Sequence, residues 1–167
     1  KIDHQNLLVS FMPGAEYGPA KQWPLAHFAE LAQKINQLGG QVLIFGSDKD
    51  RSDGDAIAES NSNVINLCGE TTIEGAVDLI GSTHIAVTND SGLMHVAASV
   101  GIPLVSIYGS SSPLYTPPLT DKAIVEWLKL DCAPCFKREC PLQHLNCLRQ
   151  ITPQSVFKHI EAIYAIK

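Results

Sequence analysis

Between Leu7 and Leu128 the chain alternates short, nearly continuous apolar runs with longer segments whose apolar residues return every three or four positions. Six runs read as strands: Leu7–Met12, Gln41–Gly46, Asn63–Leu67, His84–Thr88, Pro103–Gly109 and Ala123–Leu128. The clearest helical pattern is Phe28, Leu31, Ala32, Ile35 and Leu38, one apolar face of a helix over Pro24–Leu38. Gly39 and Gly40 end it, and Pro24 suits its first turn. Asp53–Asn61, Thr72–Ile80, Gly92–Val100 and Pro153–Ile166 read as further helices, the last with Thr152 as N-cap. In the Gly92–Val100 helix, Leu93, Val96, Ala97 and Val100 are expected to face the core. Strands that are apolar throughout, alternating with helices, predict an α/β fold, a parallel sheet covered by helices on both faces. Ser110–Thr120 and Asp131–Gln150 read as loops, the second long for a structureless connection.

Length and composition narrow this further. With 167 residues, 45% of them hydrophobic and 17% charged, the chain fits one globular domain. Its net charge of −5 lacks the basic footprint of a nucleic-acid binder. No apolar run approaches the ~20 residues needed to span a bilayer. The start at Lys1 has no apolar signal region and no initiator Met, so the reading expects a fragment without a secretory signal.

In open α/β sheets ligands sit outside the carboxyl ends of the strands, so the chemistry is sought just after each strand. After the first strand comes Pro13-Gly14-Ala15-Glu16-Tyr17-Gly18-Pro19-Ala20-Lys21-Gln22-Trp23-Pro24. Lys21 precedes a helix start, where a cation has the wrong sign for the helix dipole. It is either a solvated surface lysine or one that faces, together with the amides, a bound anion. The glycine spacing matches no P-loop. After the fourth strand, Asp90 and Ser91 are candidates to cap the next helix, or to meet a ligand. Gly92 lets a ligand approach the backbone, and His95 leans back toward the Asp90–Ser91 turn as a neutral hydrogen-bonding group. After the fifth strand, Ser110, Ser111 and Ser112 offer hydroxyls and amides. After the second, Asp48 and Asp50 are either N-caps or acceptors for ribose hydroxyls. All four clusters share one rim, which suggests a crevice for a phosphorylated, hydroxyl-rich ligand such as a nucleotide. The lack of G-x-G-x-x-G argues against a dinucleotide dehydrogenase or an epimerase, and the lack of a P-loop against a kinase.

Four of the five cysteines, Cys132, Cys135, Cys140 and Cys147, fall within sixteen residues as C-x2-C-x4-C-x6-C; Cys68 stands apart. Three readings stay open: a tetrahedral structural zinc site with His144 as a substitute ligand, disulfides, or reduced thiols in a packed loop. The grouping fits a reduced, cytosolic setting better than a secreted scaffold. Lys137, Arg138 and Arg149 in this loop are either a solvated face or contacts for an anionic acceptor.

"PGAEYGPAKQWP" before a helix, "TNDSGLMHVAAS" after a strand and "YGSSSP" after the next resemble bacterial ADP-heptose:lipopolysaccharide heptosyltransferases, glycosyltransferase family 9. "CAPCFKRECPLQHLNCL" is similar to the same segment in the heptosyltransferase II branch. The resemblance covers nearly the whole chain, in order. It implies a Rossmann-like fold, the C-terminal half of a GT-B glycosyltransferase. Residues 1–167 would be the donor-binding domain, with a cysteine-rich loop at 131–150 and the N-terminal acceptor domain absent. It implies transfer of L-glycero-D-manno-heptose from ADP-heptose to the lipopolysaccharide inner core, with inversion and without a catalytic cofactor. It places the enzyme in the cytoplasm, at the inner face of the inner membrane. Carried over by position, Lys21 stabilises the leaving diphosphate, and the general base belongs to the other domain. Asp90, Ser91, Gly92, Leu93 and His95 match the block around diphosphate and heptose. Ser110, Ser111 and Ser112 stand where relatives often carry a Thr, and Asp50, or Asp48, matches the acidic ribose position. Set against this is a module of another class, a non-catalytic zinc-loop interaction surface on an α/β nucleotide-binding scaffold, which leaves Lys21 and Asp90–His95 without a role.

Overall fold

The computed structural model describes residues 2, 6–59 and 61–165. Six strands form one parallel sheet in the order β3-β2-β1-β4-β5-β6. They are β1 (Leu8–Met12), β2 (Gln41–Ile44), β3 (Val64–Asn66), β4 (Ile85–Asn89), β5 (Leu104–Tyr108) and β6 (Ala123–Trp127). Each lies inside the run expected for it, give or take a residue. Every residue of β1, β2, β4 and β5 is buried, as strands covered on both faces must be.

Alternation along each strand sorts side chains into two cores. Val9 and Phe11, Val42 and Ile44, Ile85 and Val87, and Val105 and Ile107 point to one face. There they meet α1 (Leu25–Gln37), α2 (Arg51–Ala58), α5 (Asn146–Arg149) and α6 (Pro153–Ala165) through Phe28, Leu31, Ile35, Ile57, Leu148, Val156 and Ile160. Leu8, Met12, Leu43, Ala86, Leu104 and Tyr108 point to the other face, against α3 (Ile73–Gly81) and α4 (Gly92–Ser99). The Thr72 hydroxyl accepts from Gly75 N and caps α3, while Thr152 Oγ1 accepts from Ser155 N at the start of α6.

Four readings change. Helix α2 begins at Arg51, two residues earlier than its apolar pattern shows, because the turn at Asp48–Asp50 runs straight into it. In α4 Ala97 is buried and Leu93, Val96 and Val100 pack against the core partly buried, as expected, but Met94 and Ala98 are buried as well. Met94 meets the Tyr108 hydroxyl, whose oxygen lies 3.3 Å from the sulfur. Asp90 caps nothing: the N-cap position is Ser91, with no side-chain cap bond. The 131–150 segment is not structureless, for it carries α5 and sends Cys147 and Leu148 into the core. The expected helix end at Ile166 lies outside the described residues.

Candidate functional site

The strand order reverses between β1 and β4, the place where an open α/β sheet forms its crevice. β1 leads into the Pro13–Pro24 loop and β4 into Asp90. The sheet therefore brings Lys21 and Asp90, 69 residues apart, into an ion pair with Nζ 2.6 Å from Oδ2. Asp90 is 5% exposed and the Lys21 side chain 15%, so water screens the pair little. Lys21 also lies 5.0 Å from the centre of the Tyr17 ring.

The loop that holds Lys21 is pinned at several points. Asn89 Nδ2 donates to Pro13 O at 2.6 Å, and Asn89 Oδ1 accepts from Trp23 N at 3.0 Å. The Trp23 indole N–H donates to Ile151 O at 2.8 Å, and its ring packs edge-on against Phe28. Gly18 sits at φ 148°, and a side chain there would meet the carbonyl oxygen of Arg138 at 2.7 Å. The cysteine-rich loop is the other support. Ala20 N donates to Arg138 O, Phe136 N to Ser110 O, and the Tyr17 hydroxyl to Phe136 O.

Two cavities open near the pair, one lined by Lys21 and the other by Ser91, the neighbour of Asp90. One of about 450 Å³ is walled by Tyr17, Tyr115 and Phe136, with Lys21, Ser111, Ser112 and Thr116 completing it. Tyr115 and Phe136 meet edge to face at 5.5 Å. The other, of about 330 Å³, is bounded by Gly14, Glu16, Gly46, Asp50, Ser91, Gly92 and Leu93, among others. Asp50 both lines it and closes its own turn, its carboxylate accepting from Ser47 N at 2.7 Å and Ser47 Oγ at 2.8 Å. Asp50 is thus the N3 partner of a capping box whose N-cap is Ser47, and it makes no side-chain cap bond to α2.

Among the described residues, the hydroxyls of Ser91, Ser110 and Ser111 are buried without a hydrogen-bond partner in the protein. Native proteins rarely leave such groups unpaired. Two of them stand at the cavities, Ser91 at the smaller and Ser111 at the aromatic one.

Of the residues singled out in the sequence, Lys21 and Ser111 line the aromatic cavity, and Asp50, Ser91, Gly92 and Leu93 the smaller one. Asp90 lines neither cavity; Lys21 and Thr116 stand in front of it. His95 is exposed on α4 and lines neither one. Ser110 faces a third cavity of about 20 Å³, shared with Cys132, Cys135, Cys140, His144 and Cys147. All five cysteines are free thiols. Among the described residues no three Cys, His, Asp or Glu side chains are arranged to hold a metal ion. The four loop thiols line one cavity, and the backbone N–H groups of Leu145, Leu142, His144 and Gln143 face Cys140 and hold its thiol below the usual range. Tyr17, Tyr115, Thr116 and Phe136 escaped the sequence reading. Only the aromatic residues gave a signal, as exposed rings in polar loops.

The parallel sheet and its crevice at the β1–β4 switch point define a Rossmann-like α/β domain of the kind found in GT-B glycosyltransferases. The family model of glycosyltransferase family 9 (heptosyltransferase) matches residues 2–146, and the chain belongs to that family. It is 45% identical to lipopolysaccharide heptosyltransferase 2 of Salmonella typhimurium over 97% of its length and 48% of the relative's. It is 40% identical to lipooligosaccharide heptosyltransferase 2 of Haemophilus influenzae over 95% of this chain and 47% of that one. The solved structure of E. coli ADP-heptose lps heptosyltransferase II superposes with a TM-score of 0.85 at 43% identity, covering 97% of this chain and 47% of that one. The chain thus spans about half the length of the relatives it matches. Among the described residues, no helix is long and apolar enough to cross a membrane.

Proposed function

We propose that this chain is the donor-binding domain of a heptosyltransferase. With an N-terminal acceptor domain, it moves heptose from ADP-L-glycero-D-manno-heptose to the lipopolysaccharide inner core, in the cytoplasm at the inner face of the inner membrane. Family membership and the names of its relatives support this. The observation that carries it is the Lys21–Asp90 pair at the switch point, with Lys21 lining one cavity and Ser91, next to Asp90, lining the other. In this reading adenosine lies in the smaller cavity with its ribose toward Asp50. The diphosphate meets Lys21, the Ser91 hydroxyl and the amides at the start of α4, where the helix dipole favours negative charge. The heptose extends into the aromatic cavity beside Ser111.

The acceptor hydroxyl oxygen forms a bond to the anomeric carbon from the face opposite the diphosphate. The bond from that carbon to the β-phosphate oxygen breaks, ADP leaves with the electron pair, and the proton passes to a base on the acceptor domain. Charge grows on the diphosphate as the bond breaks. A lysine fixed in a poorly screened site then stabilises the transition state more than the ground state, and losing one such donor typically costs about 10²–10³ in rate.

Titration calorimetry of the complete protein with ADP and with UDP tests this. ADP is expected to bind and UDP to bind more weakly, with Lys21→Ala losing about tenfold or more in ADP affinity. Equal affinity for the two nucleotides, or an unchanged Lys21→Ala, would overturn it.

A further inference from the structure

Asp90 Oδ2 accepts two hydrogen bonds. Lys21 Nζ lies 2.6 Å away and Thr116 Oγ1 3.1 Å away. Lys21 lines the aromatic cavity while its Nζ touches Asp90, so turning its ammonium toward a bound diphosphate weakens the bond to Asp90. When Lys21 turns to an anion, a carboxylate only 5% exposed loses its cation. A buried charge without a partner is costly, so that loss opposes ligand binding.

Thr116 is placed to limit it. Its position does not depend on Lys21. Its backbone N–H donates to Ser112 O at 3.2 Å, and its carbonyl accepts from the buried Tyr108 hydroxyl at 2.5 Å. Tyr108 is the last residue of β5, so the sheet itself anchors the Thr116 backbone that carries the hydroxyl. That hydroxyl has one proton and two acceptors in reach. Asp90 Oδ2 at 3.1 Å is nearer than Ser112 O at 3.4 Å, and it is charged.

We propose that Thr116 is a positioning residue: it holds the Asp90 carboxylate while Lys21 exchanges Asp90 for the diphosphate of the donor. This rests on the donor-domain reading above. It makes the ion pair an exchangeable resting partner for Lys21 and sets how readily the lysine is released.

A double-mutant cycle read by ADP calorimetry on the complete protein tests it, with melting temperature as the check on folding. Thr116→Val, which keeps the shape and removes the hydroxyl, is expected to weaken ADP binding about five- to tenfold. Thr116→Ser is expected to restore binding to within about twofold. In an Asp90→Asn background, where no carboxylate needs holding, Thr116→Val is expected to change ADP affinity by less than about twofold. If Thr116→Val binds like the unmodified protein, or loses as much in the Asp90→Asn background, Thr116 does not act through Asp90 and the inference is wrong while the donor-domain reading stands. If the unmodified, folded protein binds no ADP, that reading itself fails and the inference with it.

Discussion

Single residues in this chain are set by what surrounds them more than by their type, and the cysteines show it best. Burial pushes the Cys68 thiol up to about 12 and raises that of Cys147, while donated backbone N–H groups lower that of Cys140. The thiolate is the nucleophile. Native alkylation with iodoacetamide at pH 8 is therefore expected to modify Cys140 well before Cys147, and Cys68 only on unfolding; peptide mass spectrometry with time gives the order. Rapid labelling of Cys68 in the folded protein would contradict the burial argument. Legibility at this scale was uneven. Lys21 was readable because a cation before a helix start asks for an explanation. Asp90 was readable as important but not as Lys21's partner, since contacts across 69 residues leave no local trace. Thr116 left none at all: its role comes from the Tyr108 hydroxyl that fixes it and the carboxylate it meets.

At the scale of elements, α4 and the loop after β1 carry the site. Gly92 opens α4 with nothing within 4 Å of where a Cβ would stand, and its backbone is one any residue adopts. The fold does not need glycine there. Gly92→Ala is expected to keep or slightly raise stability, by about 0.5 kcal/mol, since alanine is the better helix former. It is also expected to weaken ADP binding, because the methyl group stands where a phosphate approaches the amides. Parallel melts and titrations would show the split, and unchanged affinity would remove the ligand from this helix start. Asn89 is the opposite case, a fully buried side chain that ties the loop at Pro13 and Trp23 to β4. Asn89→Ala leaves two buried backbone groups unpaired and is expected to cost about 2–5 kcal/mol in denaturant unfolding. The sequence reading passed over it because it fell one residue beyond the expected strand end.

At the scale of the whole molecule, the chain is one sheet with a functional rim, about half the length of the relatives it matches. The reading above expects the 167-residue chain alone to bind ADP and to transfer no heptose, the base being assigned to the other domain. A saturating ligand stabilises the state it binds by about 2.7 kcal/mol at one hundred times Kd, so ADP is expected to raise the melting temperature while a transfer assay stays blank. Detectable heptosyl transfer by the chain alone would place the whole catalytic machinery here. The sequence by itself determined the six strands, the helices between them, the parallel two-faced architecture and the rim where chemistry gathers. Those follow from local periodicity, from turn residues, and from the rule that a strand buried on both faces is apolar along its length. Only the tertiary structure decided the strand order, and with it that the loops after β1 and β4 meet. It alone paired Lys21 with Asp90, left His95 outside both cavities, turned Met94 of α4 into the core, and gathered four thiols around one small space. Each of these is a contact between segments far apart in the chain, fixed by packing and by the pairing of buried polar groups. No window of neighbouring residues contains that information.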